Sequence, residues 1–243
     1  MNIYVVIIGT EILNGRRKDK HFEYIKEVLL TYGYEIYASF VIKDDKKLIE
    51  NIYNLVKNDK NSIMFSFGGI GSTPDDLTRE IASKVFKNSK PIRHENFFQD
   101  IIEKFGDEAY PHRIFMADLP PEAKLLKNPI NNMSGFYLDD RYFFMPGFPQ
   151  MSHPMVDDIV KNILGKSIKK HRLTLKADTS ENTLIGLMKN TPKDIELSSL
   201  PILTKTKKEV ELSLSGYDLE NLKKEFKKYT DFLKRMDISY KII

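Results

Sequence analysis

Residues 62–78 of the chain read SIMFSFGGIGSTPDDLT, an apolar run that leads into a segment rich in glycine, hydroxyl and carboxylate side chains. The run Ser62–Phe67 is short and nearly all apolar, which predicts a central strand of a parallel sheet. Residues 74–86 predict a helix, with proline in its first turn and with Asp75 and Asp76 near its positive end. In open α/β sheets, ligands bind at such strand-to-helix loops.

Short apolar runs alternate with helical patterns on both sides of this stretch, over residues 1–165. Such alternation is typical of βαβ units, which build a mostly parallel sheet with helices on both faces. The predicted strands are Ile3–Ile8, Glu35–Ile42, Ser62–Phe67, Lys124–Leu126 and Tyr142–Met145, and the predicted helices lie near residues 22–32, 48–56, 74–86, 94–105 and 150–164. The predicted fold class is therefore α/β, with three layers.

A second, smaller domain is predicted for residues 166–243, after a helix that ends at Gly165. Its predicted elements are strand His171–Ala177, helix Ser180–Lys189, strand Asp194–Leu200, strand Glu209–Ser215, helix Leu219–Met236 and strand Ile238–Ile243. This βαββαβ order is typical of a ferredoxin-like α+β domain. We interpret the apolar stripe of the last helix as core-facing, and the domain as an element for packing, oligomerisation or closure over the cleft.

The loop after residue 67 has the composition of a phosphate site. Gly68, Gly69 and Gly71 let the backbone approach a phosphate closely, and Ser72 and Thr73 add hydroxyl donors. The alternative is a tight capped turn without a ligand, but such a turn needs fewer glycines and carboxylates. The sequence therefore predicts that this loop binds a phosphate-bearing ligand.

Carboxylates beside a phosphate repel it unless a cation lies between them, so the sequence predicts Mg²⁺ or another divalent metal such as Mn²⁺ or Co²⁺. Asp75 and Asp76 are both candidate metal ligands: one of them would bind the metal or orient a water, and the other would favour the helix dipole. Glu11 follows the first strand and Asp44 the second, so both are expected at the same sheet edge as further metal ligands. Asp44 is equally suited to cap the next helix.

The loop after the first strand supplies a second group of candidate ligand contacts. These are Gly9, Thr10 and Glu11, at the carboxyl end of the sheet. The basic run from Arg16 to Lys20 follows directly. It is interpreted either as a clamp for the far end of a charged ligand or as solvated surface.

The composition excludes several classes of function. There are no cysteines, and the five histidines lack metal-ligand spacing, which excludes disulfides and argues against structural zinc. The net charge of +4 arises from basic residues mixed with acidic ones, which indicates solvated surface rather than a nucleic-acid interface. The first residues contain no signal-peptide pattern and no run long enough to span a bilayer, so we expect a cytoplasmic protein that contacts no membrane.

Four motifs together resemble the N-terminal molybdopterin-binding domain, of the MoaB/Mog type, of the competence/damage-inducible CinA family. They are residues 9–15, residues 68–78, residues 128–130 with 135–136, and residues 145–149. The resemblance covers about residues 1–165, and residues 166–243 resemble the small domain that follows in those proteins. The positions that match the family's site are Glu11, Gly68, Gly69, Gly71, Thr73, Asp75, Asp76, Thr78, Pro146 and Gly147. Ser72 stands where the family usually has proline.

The resemblance implies a cleft for molybdopterin or a nucleotide. Some relatives hydrolyse ADP-ribose or FAD at the pyrophosphate with a divalent metal. The leading hypothesis is such a pyrophosphatase, in which Thr73 stabilises charge on the leaving phosphate. The alternatives are a non-catalytic binding module for molybdopterin or a nucleotide, and a molybdopterin adenylyltransferase of molybdenum-cofactor synthesis.

The resemblance also bears on the oligomeric state and on which domains of the family are expected in this chain. Relatives suggest a homo-oligomer, a dimer or trimer, and the apolar segment Phe143–Phe148 lies either at a subunit contact or in the core. The C-terminal deamidase domain of full-length CinA proteins is not expected in this chain. Pyridine-nucleotide deamidation is therefore not carried over.

Overall fold

The computed structural model of the chain describes residues 1–203 and 208–243. They form two compact units, Met1–Ser167 and Ile168–Ile243, and each unit has a hydrophobic core of its own. The break between the units lies close to Gly165, where the sequence predicts the domain boundary. Among the described residues, no helix is both long enough and apolar enough to cross a membrane.

A six-stranded sheet forms the middle layer of the first unit. The strands of this unit are β1 (Asn2–Ile8), β2 (Ile36–Ile42), β3 (Ser62–Phe67), β4 (Ile92–Arg93), β5 (Asp118–Leu119), β6 (Lys124–Leu126), β7 (Gly135–Leu138) and β8 (Tyr142–Met145). In the order β2-β1-β3-β8-β7-β6, the first four strands are parallel, and β7 and β6 are added antiparallel. Strands β4 and β5 form a separate two-stranded ribbon. The mostly parallel sheet is confirmed.

Helices cover both faces of this sheet. They are α1 (Thr10–Leu13), α2 (His21–Thr31), α3 (Lys46–Asn58), α4 (Thr78–Lys87), α5 (Glu95–Phe105) and α6 (Pro149–Asp158), with 3₁₀ turns at Gly106–Ala109 and Arg113–Ala117 and a π-helical turn at Ile159–Leu164. Successive side chains of a strand point to opposite faces. Val6 of β1 accordingly belongs to the core cluster with α3, α4 and α5, whereas Val5 belongs to the cluster with α2 and α6. The three-layer architecture is confirmed.

The helix after the glycine-rich loop begins later than predicted. α4 starts at Thr78, residues 74 and 75 lie in a turn before it, and Leu77, which directly precedes the helix, already has helical backbone angles. Thr78 donates from its N–H to the carbonyl of Gly69 at 3.0 Å and from its hydroxyl to the carbonyl of Gly68 at 2.9 Å. These bonds tie the helix start to the loop, so the two carboxylates lie before the first helical turn rather than inside it.

The apolar segment at the end of the sheet belongs to the core. All four residues of Tyr142–Met145 are buried, whereas Phe148 is 48% exposed. Of the two interpretations of this segment, core packing therefore accounts for β8. Phe148 is an exposed side chain beyond it.

The second unit is a four-stranded antiparallel sheet with two helices. Its elements are β9 (His171–Ala177), α7 (Glu181–Met188), β10 (Glu196–Leu203), β11 (Lys208–Gly216), α8 (Leu219–Arg235) and β12 (Tyr240–Ile242). The strand order β10-β11-β9-β12, with every pairing antiparallel, is that of the predicted ferredoxin-like domain. Leu222, Phe226, Tyr229 and Leu233 of α8 are buried in its core, which confirms the core-facing stripe.

Candidate ligand-binding site

A cavity of about 540 Å³ lies where the carboxyl ends of the parallel strands meet. Small-molecule sites typically measure about 300–1,000 Å³. The loops after β1, β2, β3 and β8 all contribute to its lining. The lining residues that the sequence predicts as site residues are Gly9, Glu11, Asp44, Gly68, Gly69, Gly71, Ser72, Thr73, Asp75, Asp76, Pro146 and Gly147. The fold thus gathers four separate loops around one cavity.

Close packing requires the two glycines at the start of the loop after β3. Gly68 has a φ of 98°, and a Cβ there would lie 2.3 Å from the carbonyl oxygen of Ile8. Gly69 has a φ of 69°, and a Cβ there would lie 2.5 Å from Thr78 Oγ1. Both conformation and space therefore favour glycine. Thr78, which is predicted as a ligand contact, is buried, supports the loop from below and does not itself line the cavity.

One carboxylate closes the tip of this loop. Asp76 Oδ2 accepts hydrogen bonds from the backbone N–H of Thr73 at 2.8 Å and from its hydroxyl at 2.7 Å. The N–H of Asp76 donates to the carbonyl of Thr73 at 3.0 Å. The hydroxyl proton of Thr73 therefore points to Asp76, and the contact of Thr73 with a leaving phosphate stays a prediction. Asp76 shapes the loop and keeps Oδ1 as its second oxygen.

Four consecutive backbone N–H groups of the loop have no acceptor in the described part of the chain. Across residues 1–203 and 208–243, the N–H groups of Gly69, Ile70, Gly71 and Ser72 donate to no protein oxygen. Anions bind at such clusters of unpaired N–H groups, which carry partial positive charge. The loop therefore suits a phosphate.

A buried arginine holds the same loop from the protein side. Arg79 on α4 is 8% exposed and donates from its guanidinium to the carbonyl of Ile70. Burial lowers the pKa of Arg79, and the nearby carboxylates of Asp76 and Asp118 raise it. Sequence reasoning missed this residue. The available signal was a basic side chain in the first turn of a helix, where the dipole favours acidic ones.

Asp44 is positioned by the loop after β1. Its Oδ2 accepts hydrogen bonds from the N–H and the hydroxyl of Thr10, both at 2.8 Å. Thr10, which is predicted as a ligand contact, therefore supports Asp44 and does not itself line the cavity. The residue that caps α3 is Asp45, which accepts from the N–H of Leu48 at 2.8 Å. Asp44 thus lines the cavity while its neighbour caps the helix.

Four carboxylates line the cavity, those of Glu11, Asp44, Asp75 and Asp76. In the part of the chain that the structure describes, no three acidic or histidine side chains lie close enough together to hold a metal ion. Mg²⁺ usually takes only one or two protein carboxylates, because phosphate oxygens and waters complete its shell. The donors fit a metal that binds together with a phosphate ligand, and they do not form a cage made of protein alone.

Basic and aromatic residues complete the lining. Arg17 comes from the basic run after α1, and its guanidinium carbon lies 5.7 Å from the centre of the Phe148 ring. Lys18 and Lys20 line a smaller adjoining pocket instead. The lining residues that sequence reasoning missed are Phe97, Phe105, Arg113, Met116, Asn131, Met133, Ser134 and Met151. Phe97, Phe105, Arg113 and Met116 lie outside every motif. Asn131, Met133 and Ser134 lie between the two halves of the motif at residues 128–130 and 135–136, which was the available signal for them.

A buried histidine supports the loop after β8. His21 Nε2 lies 3.3 Å from the carbonyl oxygen of Gly147, to which it donates. Its ring stacks on Phe67 with 4.5 Å between centroids, and Nδ1 lies 3.4 Å from the hydroxyl of Ser152. Burial is the main cause that lowers the pKa of His21. The neutral Nε2–H tautomer therefore helps to place Gly147 at the cavity wall.

Comparison with known proteins identifies relatives of this chain. The sequence model of a family described as "Probable molybdopterin binding domain" matches residues 4–166. A protein of Caldivirga maquilingensis is 28% identical over 244 residues, which cover 92% of this chain and 91% of that protein. The CinA-like protein of Syntrophotalea carbinolica is 30% identical over 171 residues, and the match covers 68% of this chain but only 40% of that protein.

A solved structure resembles the first unit. The crystal structure of the protein CinA with unknown function from Thermoplasma acidophilum matches with a TM-score of 0.60 and 28% sequence identity. The match covers 67% of this chain and 97% of that one.

Proposed function

The chain belongs to the molybdopterin-binding domain family that covers residues 4–166, and from this premise we propose that it hydrolyses the pyrophosphate bond of a dinucleotide with the help of a divalent metal. ADP-ribose, FAD or a similar molecule is the substrate. One observation carries the proposal, which is that unpaired N–H groups at residues 69–72 and four carboxylates line the same cavity. A cavity with the N–H donors but without the carboxylates would suit phosphate binding and not metal-assisted hydrolysis.

The N–H groups and the carboxylates have different roles in this reaction. The N–H groups of the loop and the Ser72 hydroxyl hold a phosphate and oppose the charge that develops on it during reaction. Asp75 is exposed, and no described residue makes a hydrogen bond or ion pair with its carboxylate, so both of its oxygens are available. Glu11, Asp44 and Asp76 Oδ1 complete the acidic wall. A divalent metal such as Mg²⁺, Mn²⁺ or Co²⁺ would neutralise the repulsion between these carboxylates and the pyrophosphate.

The reaction is attack of water on one phosphorus of the pyrophosphate. A P–O bond forms to the water oxygen and the bridging P–O bond breaks, so ADP-ribose yields AMP and ribose 5-phosphate. Asp75 orients the water and receives its proton, because its carboxylate is exposed and makes no hydrogen bond or ion pair with any described residue. Asp76 and Thr73 act by holding the loop, since their polar groups are bonded to each other.

The test is product release from ADP-ribose, FAD, NAD and CoA with each of the three metals, for the wild type and the variants Asp75→Asn and Asp76→Asn. We expect Asp75→Asn to abolish turnover while the protein stays folded, and Asp107→Asn, an exposed carboxylate outside the cavity, to keep full activity. Turnover that survives both site variants would refute this site.

Absence of product from every pair of substrate and metal would favour the other two functions. A binding module would retain the ligand unchanged. An adenylyltransferase would need ATP and molybdopterin together, so the same protein would then be assayed with both.

A further inference from the structure

One edge of the six-stranded sheet is long and has no neighbouring strand. β2 is the strand at this edge, and across the described residues it pairs with β1 alone. A strand with a single neighbour leaves alternate N–H and C=O groups on its outer side without a strand partner. At the opposite edge of the sheet, β6 has only three residues, whereas β2 has seven. The β2 edge is therefore the one long enough to pair with a further strand.

The sequence of β2 lacks the features that usually protect an edge strand. Proteins protect such edges with proline, with charged side chains in the strand, or by keeping the strand short. None of the seven residues of β2 is proline or charged. Its pairing with β1 is irregular only at its start, between Ile36 and Ala38. Tyr37 and Val41 are 64% and 38% exposed, so apolar side chains accompany the unpaired backbone.

An apolar stripe runs along α3 in addition to the stripe that faces the core. Leu48, Ile52 and Leu55 recur at helical spacing, and both leucines are exposed. An exposed apolar stripe beside an unprotected strand edge is typical of a protein–protein contact.

The contacts of α3 show that this stripe is on the side of β2. Glu50 faces α4, where it forms an ion pair with Lys84 at 2.6 Å. Ile52 follows two residues later and therefore lies about 200° further round the helix, on the flank away from α4. Ile52 also packs against the core cluster that Ala38 and Phe40 of β2 contact. The stripe and the strand edge thus form one continuous face.

We propose that this face, formed by β2 and the α3 stripe, binds a second copy of the chain. The two β2 strands pair antiparallel around a two-fold axis near Ser39, so that the two sheets continue as one. Glu35 precedes β2 and Lys43 follows it, so antiparallel pairing brings Glu35 of one copy beside Lys43 of the other at both ends. Parallel pairing would bring like charges together. The same axis packs Leu48 of one α3 near Leu55 of the other. This proposal does not depend on the proposed hydrolysis.

The test is the oligomeric state of the full chain, measured by sedimentation velocity over a range of protein concentrations. We expect a dimer whose Kd rises about tenfold or more in Val41→Lys and in Leu55→Lys, because a two-fold interface buries each new charge twice. Both side chains are exposed in the single copy, so circular dichroism should show an unchanged fold. The matched control is Ile92→Lys, an equally drastic change at an exposed position of the separate β4–β5 ribbon, which should leave the Kd unchanged.

A mixing experiment tests the antiparallel arrangement. Glu35→Lys and Lys43→Glu each bring like charges together at both ends of the paired strands, so each variant alone should dimerise about tenfold more weakly than the wild type. An equimolar mixture of the two variants should recover the wild-type affinity, because both ends of the mixed dimer then join opposite charges.

Several results would overturn the proposal. A wild-type chain that stays monomeric at every concentration would do so, and the β2 edge would then be a contact for a different protein. A dimer that survives both lysine variants, or that weakens equally in Ile92→Lys, would use another surface. A trimer would also contradict it, because two-fold pairing of one edge closes at two copies. Absence of recovery in the mixture would refute the antiparallel arrangement.

Discussion

The carboxylate of Asp76 accepts two hydrogen bonds from Thr73, 2.8 Å from its backbone nitrogen and 2.7 Å from its hydroxyl. Both residues line the cavity, so this pair links the shape of the loop to the ligand that it holds.

Removing the Thr73 hydroxyl tests how far its hydrogen bond to Asp76 maintains the shape of the loop and its affinity for a phosphate. Thr73→Val keeps the side-chain volume and the backbone bond but deletes one hydrogen bond, and we expect the free energy of unfolding to fall by about 1 kcal/mol. Pyrophosphate affinity should fall in parallel, because the N–H groups lose their fixed arrangement. Urea denaturation and calorimetry measure the two effects. Unchanged affinity would show that the loop keeps its shape without this bond.

Substitution of Gly68 tests whether steric space or backbone conformation is the main reason for glycine at this position of the loop. Gly68→Ala would place a Cβ 2.3 Å from the carbonyl oxygen of Ile8 and should destabilise the protein by about 2–4 kcal/mol, through overpacking added to strain. Gly15→Ala is the control, because Gly15 has a φ of 78° with no atom within 4 Å of its Cβ position. We expect that control to cost about 1 kcal/mol, from strain alone. Equal losses of unfolding free energy would refute the clash.

Arg79 tests the support of the loop from within the protein. Arg79→Met leaves the Ile70 carbonyl without its donor and should lower the free energy of unfolding by about 2–3 kcal/mol. Lys84→Met on the same helix removes an exposed ion pair to Glu50 and should cost about 0–1 kcal/mol. Chemical denaturation compares the two variants. A smaller loss for Arg79→Met than for Lys84→Met would show that the buried guanidinium does not hold the loop.

His21 predicts a dependence of stability on pH. Burial lowers its pKa in the folded protein below the ordinary value of 6.5. As the pH falls below that value, the unfolded chain takes up a proton before the folded protein does, so the free energy of unfolding falls. Above it, both states are neutral and the contribution is constant.

The measurement for His21 is the slope of stability against pH from about pH 7 to about pH 5, where histidine titrates. His21→Gln should flatten this slope, and His112→Gln, at an exposed position, should not. His153, which stacks on Tyr24 and lies near His21, also has its pKa lowered by burial, so part of the slope should remain. An unchanged slope in His21→Gln would contradict the assignment.

Local sequence patterns predicted the elements whose conformation is determined by residues that are close in sequence. Ser62–Phe67 is a strand with the predicted bounds, because a strand buried on both faces must be apolar throughout. The βαββαβ order of the second unit is equally a matter of local periodicity. The location of the glycine-rich loop follows as well, because parallel strands place their carboxyl ends at one sheet edge.

The start of α4 shows where local reasoning fails. Pro74, Asp75 and Asp76 have the composition of a first helical turn. Asp76 nevertheless accepts a hydrogen bond from Thr73, and the helix begins only at Thr78. Local preference for a helix start is a weak effect, and a carboxylate with two better donors three residues earlier overrides it.

Part of the cavity lining follows from no sequence motif. Arg113 and Phe105 come from a turn and a helix far along the chain from the glycine-rich loop, and they reach the cavity because α5 packs against the core. The contact between them is the stacking of the Arg113 guanidinium on the Phe105 ring. Periodicity along the chain reports which face of an element is buried, whereas the partners across a cavity are chosen by packing between elements distant in sequence.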